Sequence, residues 1–199
     1  MQKEIQNYQA LYKKLNDYIH IDSNTLDSLE KILKIKTINK DEYLSELYDN
    51  TRQIGFVIEG LIRVYHLKED GTEYNKNFFT KNDLFMTSLD EKKDSTVFIQ
   101  TITKCKIIIF DYSEFTVLSL KHKVLEKVLN KILLDYLNKK QQREIELLSL
   151  NAKDRYIQFI HNNPMLSKKL PQYHIASYLG ITPTQLSRIK KVYKINICK

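Results

Sequence analysis

The sequence predicts an α+β chain: helices at the start, a β-rich middle, one long helix, and a helix-turn-helix at the end. Three observations predict it. Apolar residues recur at helical spacing up to about residue 36 and again after Ser113. Short β-type runs separated by turn residues lie between. Residues 172–191 carry a glycine and a proline where a tight corner between two helices requires them. With 199 residues and 42% hydrophobic content, the chain can bury a substantial core. No run approaches the roughly eighteen uncharged apolar residues of a membrane span. The opening MQKEIQNYQA lacks the apolar stretch of a secretory signal, so a cytoplasmic location is expected.

The elements follow in order. Tyr8, Leu11, Tyr12, Leu15 and Ile19 form one helical stripe, and Leu26, Leu29, Ile32 and Leu33 form a second. Ile21-Asp22-Ser23 supplies a break and a cap between them. From about residue 37 the pattern changes to strands, at 51–58, 61–66, 74–79, 97–103 and 106–110. Asp70-Gly71 between two such runs is a hairpin signal. Four glycines and three prolines leave little room for flexible linkers.

After Ser113 the helical pattern returns. Leu125, Val128, Leu129, Ile132, Leu133, Tyr136 and Leu137 fall on one broad face of a helix of about 25 residues. That is more helix than one small domain needs, so part of the stripe is expected to bury against a second copy; packing on the β domain is the alternative. Asn151, with Asp154 behind it, reads as the cap of a further helix through Tyr156, Ile157, Phe159 and Ile160, stopped at Asn162-Asn163-Pro164.

The segment QYHIASYLGITPTQLSRIKK (172–191) carries the functional signal. Ile175 and Leu179 lie one turn apart, Ile181 follows the corner, and Leu186 and Ile189 face back from the second helix. Ala176 is small where the helices cross, and Gly180 can take the left-handed conformation of the turn. Thr182 is a suitable N-cap and Pro183 suits the first helical position. In this geometry the second helix reads base edges, and Thr184, Gln185, Ser187 and Arg188 project away from the packing residues. Gln185 suits adenine and Arg188 suits guanine. Thr182, Lys190, Lys191 and Lys194, with Gln172, Tyr173 and His174 on the first helix, are candidate backbone contacts.

Charge supports the same end of the chain. Residues 1–113 hold 16 basic and 18 acidic side chains, whereas 114–199 hold 16 and 6. Clustered positive charge is the footprint of nucleic-acid binding, although a lysine-rich solvated surface gives the same count. Cys105 and Cys198 stand far apart with no metal-ligand spacing, so no metal and no cofactor are expected. The five histidines (His20, His66, His122, His161 and His174) are scattered, and no catalytic residues are assigned.

On three stretches the chain resembles the Crp/Fnr family of bacterial transcription regulators: FVIEGLIRVYHLKEDGTEYNKNFF (56–79), the long helix after Asp111, and LPQYHIASYLGITPTQLSRIKK (170–191). The resemblance implies a cyclic-nucleotide-binding-like jelly-roll β-roll sensor domain at 1–113, a dimerisation helix at 114–140 and a winged helix-turn-helix domain at 141–199. It also implies a homodimer on a palindromic operator in double-stranded DNA that contacts RNA polymerase, with no membrane partner. Family members that bind cyclic AMP use a Gly-Glu pair and an Arg-Ser pair, where this sequence has Met86-Thr87 and Ser95-Thr96. Without the arginine an anionic phosphate loses a charge-assisted hydrogen bond, so no tight cyclic-nucleotide binding is expected and the effector is left open. The grouped N-terminal cysteines of Fnr-like members are absent, and VYKINICK after Lys191 is short for a two-stranded wing. The competing reading is a ligand-sensing β-roll whose C-terminal domain docks protein rather than DNA.

Overall fold

The computed structural model describes residues 2–46, 52–87 and 97–197. In chain order these form α1 (Gln2–Asn16), α2 (Ser23–Glu30), β1 (Lys34–Ile38), β2 (Tyr43–Ser45), β3 (Gln53–Glu59), β4 (Ile62–Leu67), β5 (Glu73–Phe79), β6 (Leu84–Met86), β7 (Phe98–Thr101) and β8 (Cys105–Asp111). Six helices follow: α3 (Tyr112–Lys121), α4 (Lys123–Ser149), α5 (Ala152–Asn162), α6 (Pro164–Lys169), α7 (Gln172–Leu179) and α8 (Pro183–Ile197). The chain divides into two compact units, Met1–His66 with Asn77–Asp135, and Leu67–Lys76 with Tyr136–Lys199. α4 is shared between the units, and the tip of the β4–β5 hairpin falls in the second.

The first unit is a β-roll of two four-stranded sheets, in the orders β1-β8-β3-β6 and β2-β7-β4-β5. The first of these sheets is covered on both faces. Ile107 and Ile109 of β8 join Val57, Ile62, Phe79, Phe85 and Ile99 in one core. Ile108 and Phe110 of the same strand join Leu11, Leu15, Leu29, Phe115, Leu125 and Val128 in another. A strand buried on both sides has no polar face to show, which is why its centre, IIIF (107–110), is an unbroken apolar run between Lys106 and Asp111.

Gly55 marks the closest approach inside the roll. It is the cross-strand partner of Phe85, whose ring lies over it, and a Cβ added there would stand 2.1 Å from the ring's Cζ. Gly55→Ala is therefore expected to lower stability by roughly 1–3 kcal/mol through overpacking. Chemical denaturation measures this, and adding Phe85→Leu should restore part of the loss.

Some local expectations need correction. Residues 34–36, read with the helical start, begin β1, and the three-residue strands β2 and β6 were not anticipated. The helix after Asp111 is broken at His122 into α3 and α4. No wing follows among the described residues: α8 stays helical to Ile197, since neither glycine nor proline interrupts the sequence after Pro183.

Candidate nucleic-acid interface

The corner of the helix-turn-helix is built by backbone hydrogen bonding. Gly180 sits at φ 67° and ψ 35°, left-handed, and ends α7. Its N–H donates to the Ser177 carbonyl at 3.2 Å, and the Ile181 N–H donates to the Ala176 carbonyl at 3.0 Å. This pair of bonds is a Schellman closure, which a residue with a Cβ adopts only under strain. Ile175, Ala176 and Leu179 of α7 and Leu186 of α8 are buried, so the two helices meet on their apolar sides. Asn151 caps α5 by accepting from the Asp154 N–H at 3.0 Å.

The start of α8 closes a capping box. Thr182 Oγ1 accepts from the Gln185 N–H at 3.1 Å, and Gln185 Oε1 accepts from the Thr182 N–H at 2.9 Å. Gln185, a base-contact candidate, is thus engaged in holding its own helix. Thr184, Ser187, Arg188 and Lys191 are exposed, and their positions along α8 set them on the side away from Leu186. Lys190 donates to Gln172 Oε1 at 2.7 Å, joining the middle of α8 to the first residue of α7. Tyr173 is 57% exposed. His174 is only 5% exposed, which places it in the interior of this unit rather than on a phosphate-facing surface. The backbone of Lys194 lies in α8 and its side chain is outside the described residues.

Two arginines hold the end of α7, and neither was picked out from sequence. Arg143 stacks its guanidinium 3.9 Å from the Tyr178 ring centroid and donates to the Tyr178 carbonyl. Arg155 donates to the carbonyls of Leu179 at 3.0 Å and Leu150 at 2.7 Å. Cations at a helix C-terminus satisfy its unpaired carbonyls and oppose its negative end. Burial pushes the Tyr178 hydroxyl up and pulls the Arg143 guanidinium down from their ordinary values, while each moderates the other's shift. Lys140 is pulled down chiefly by burial and further by the charges of Lys76 and Arg143.

Of the expected ligand positions, the two that lie among the described residues, Met86 and Thr87, are uncharged. Met86 is half-buried beside the helix-side core of the β-roll, and Thr87 is buried, accepting from the Gln53 N–H at 2.9 Å. Ser95 and Thr96 lie outside the described residues. Between the sheets, Phe79 and Phe85 fill space with ring centroids 5.7 Å apart.

The seven apolar residues read as one dimer stripe separate on α4. Leu125 and Val128 are buried in the β-roll unit's own core, and Leu129 and Ile132 pack against it. Leu133 and Tyr136 are partly buried, and Leu137 is 59% exposed. Leu134, Ile145 and Leu148 are also exposed, at spacings that bring them to the side of Leu137. Sequence periodicity had not singled them out.

A two-sheet roll, a long helix and a helix-turn-helix whose second helix is largely exposed make up the chain. No protein-family model matches the chain. The anaerobic regulatory protein of Haemophilus influenzae is 23% identical over 184 residues, covering 85% of this chain and 70% of that protein. The structure of FixK2 from Bradyrhizobium japonicum aligns with a TM-score of 0.71 at 18% identity, over 83% of this chain and 86% of that one. A transcriptional regulator of the Crp/Fnr family from Eubacterium rectale aligns with a TM-score of 0.68 at 12% identity, over 88% and 85%. The chain has the fold of the Crp/Fnr transcription regulators, and the resemblance read from its sequence holds over most of its length. Among the described residues no helix is long and apolar enough to cross a membrane.

Proposed function

We propose that this chain is a sequence-specific DNA-binding transcription regulator that acts as a homodimer on a two-fold operator, without the usual cyclic-AMP-binding residues. The observation that carries the reading is the exposed face of α8. Thr184, Ser187, Arg188 and Lys191 project from a helix fixed by buried Leu186 and by the left-handed Gly180 corner. Such a helix enters the major groove with its first turns against base edges. Arg188 is assigned to a base, Thr184 and Ser187 to neighbouring bases or sugars, and Lys191 to phosphate. The exposed Lys168 and Lys169 at the end of α6 add positive charge to the same unit.

Dimerisation is assigned to the exposed side of α4 through Leu134, Leu137, Ile145 and Leu148, where matched copies would bury leucine against leucine. The operator then repeats its half-site about one helical turn apart. Contact with RNA polymerase and residence in the cytoplasm are proposed with it. The test is fluorescence anisotropy on labelled duplexes over a salt series. Binding is expected to weaken steeply and linearly in log salt as counterions are released; salt-insensitive or absent binding to all duplexes rejects the reading.

A further inference from the structure

The tip of the β4–β5 hairpin, Leu67–Lys76, belongs to the same compact unit as the helix-turn-helix, and it meets α7 and its corner at His174, Ser177 and Gly180. β5 is the last strand in its sheet's order, so its outer backbone groups need partners from elsewhere. Ser177 provides them. Its hydroxyl accepts from the Asn75 N–H at 2.9 Å and donates to the Glu73 carbonyl at 2.8 Å, standing in for a neighbouring strand. One turn earlier, the Asn75 side-chain amide reaches the His174 carbonyl at 3.3 Å and His174 Nδ1 at 3.2 Å. One turn later, a Cβ built on Gly180 would lie 3.2 Å from the Tyr74 hydroxyl. Positions 174, 177 and 180 are three apart, so a single side of α7 lies along residues 73–75 from its first turn to the corner.

Asn75 and His174 are 3% and 5% exposed, too enclosed for incidental surface contacts. The seat is also incompletely satisfied, because Asn75 Oδ1 is buried without a hydrogen-bond partner. With the seat closed, Thr184, Ser187 and Arg188 remain exposed, so closure is compatible with groove entry.

We infer that Asn75 and Ser177 are positioning residues for DNA binding: they hold α7 against residues 73–75 of the same unit and so steady the helix-turn-helix that carries α8. The inference rests on the DNA-binding reading above. A helix already held in its bound direction loses less freedom on binding. Removing the lock thus weakens DNA binding although neither residue touches DNA.

The experiment uses the full chain, with wild type, Ser177→Ala, Ser177→Thr and Asn75→Ala compared in two measurements. Amide hydrogen exchange at Asn75 should be slow in wild type and Ser177→Thr, which keeps the hydroxyl, and fast in Ser177→Ala. Affinity for a selected duplex, counted per active protein, should fall about tenfold in Ser177→Ala and Asn75→Ala and recover in Ser177→Thr. The salt slope should not change, because no phosphate contact is removed. Rapid exchange at Asn75 in wild type, or unchanged affinity in both alanine variants, overturns the positioning role. Protection in wild type with no binding to any duplex rejects the DNA-binding reading and the positioning role with it, while leaving the seat intact as a structural contact.

Discussion

Arg188→Ala is expected to lower affinity for the selected operator by roughly 1–3 kcal/mol, about 5- to 150-fold, and to relax preference at one base position in each half-site. The size follows from what is removed, a bidentate charged donor on an exposed helical face whose packing does not depend on it. Thermal stability should barely move. Lys191→Ala should act differently, weakening all sequences alike and reducing the salt slope by about one phosphate contact. Gln185→Ala separates structure from readout. Its carboxamide closes the cap on Thr182, so the loss should appear as about 0.5–1 kcal/mol of stability and much less as base preference. Competition titrations with single-base operator variants measure all three, and an Arg188→Ala protein with wild-type discrimination would remove Arg188 from the readout.

Leu137→Glu combined with Leu148→Glu is expected to convert the proposed dimer to monomers at micromolar concentration and to lower affinity for a two-fold site on the order of a hundredfold or more, as the second half-site would no longer bind at high effective concentration. Leu148 is 82% exposed and Leu137 59%, so neither substitution disturbs the chain's own core. Leu125→Ala makes the contrast. That side chain is 1% exposed among the β-roll helices, and its truncation should destabilise the fold by roughly 2–5 kcal/mol without a specific effect on association. Sedimentation velocity distinguishes the two, and a double glutamate variant that still sediments as a dimer would place the interface elsewhere.

What could be read from the residues alone follows the range of the forces involved. The corner at Gly180, the cap at Thr182, the stop before Pro164 and the hairpin at Asp70-Gly71 each depend on a few adjacent residues, and each was legible. The three-residue strands β2 and β6 carry too few alternations to stand out, and β1 follows directly on the Leu29 and Leu33 stripe. The long helix shows a different limit. Periodicity reveals an apolar face but not what covers it, and Leu125 and Val128 turn inward to the β-roll while Leu137 does not. His174 read as a surface residue because nothing near it in sequence announces Asn75, 99 positions away. The roles of Arg143 and Arg155 at the end of α7 were hidden for the same reason, since the Tyr178 and Leu179 carbonyls lie 35 and 24 positions further along the chain.

Sequencing of genomic fragments retained by the purified protein is the most direct measurement. The expected result is an enriched motif with two-fold symmetry and half-site centres about 10–10.5 base pairs apart, lost when Arg188→Ala is used as bait. Retained fragments with no shared motif, or the same motif recovered with Arg188→Ala, would contradict the assignment of α8 as the element that reads DNA.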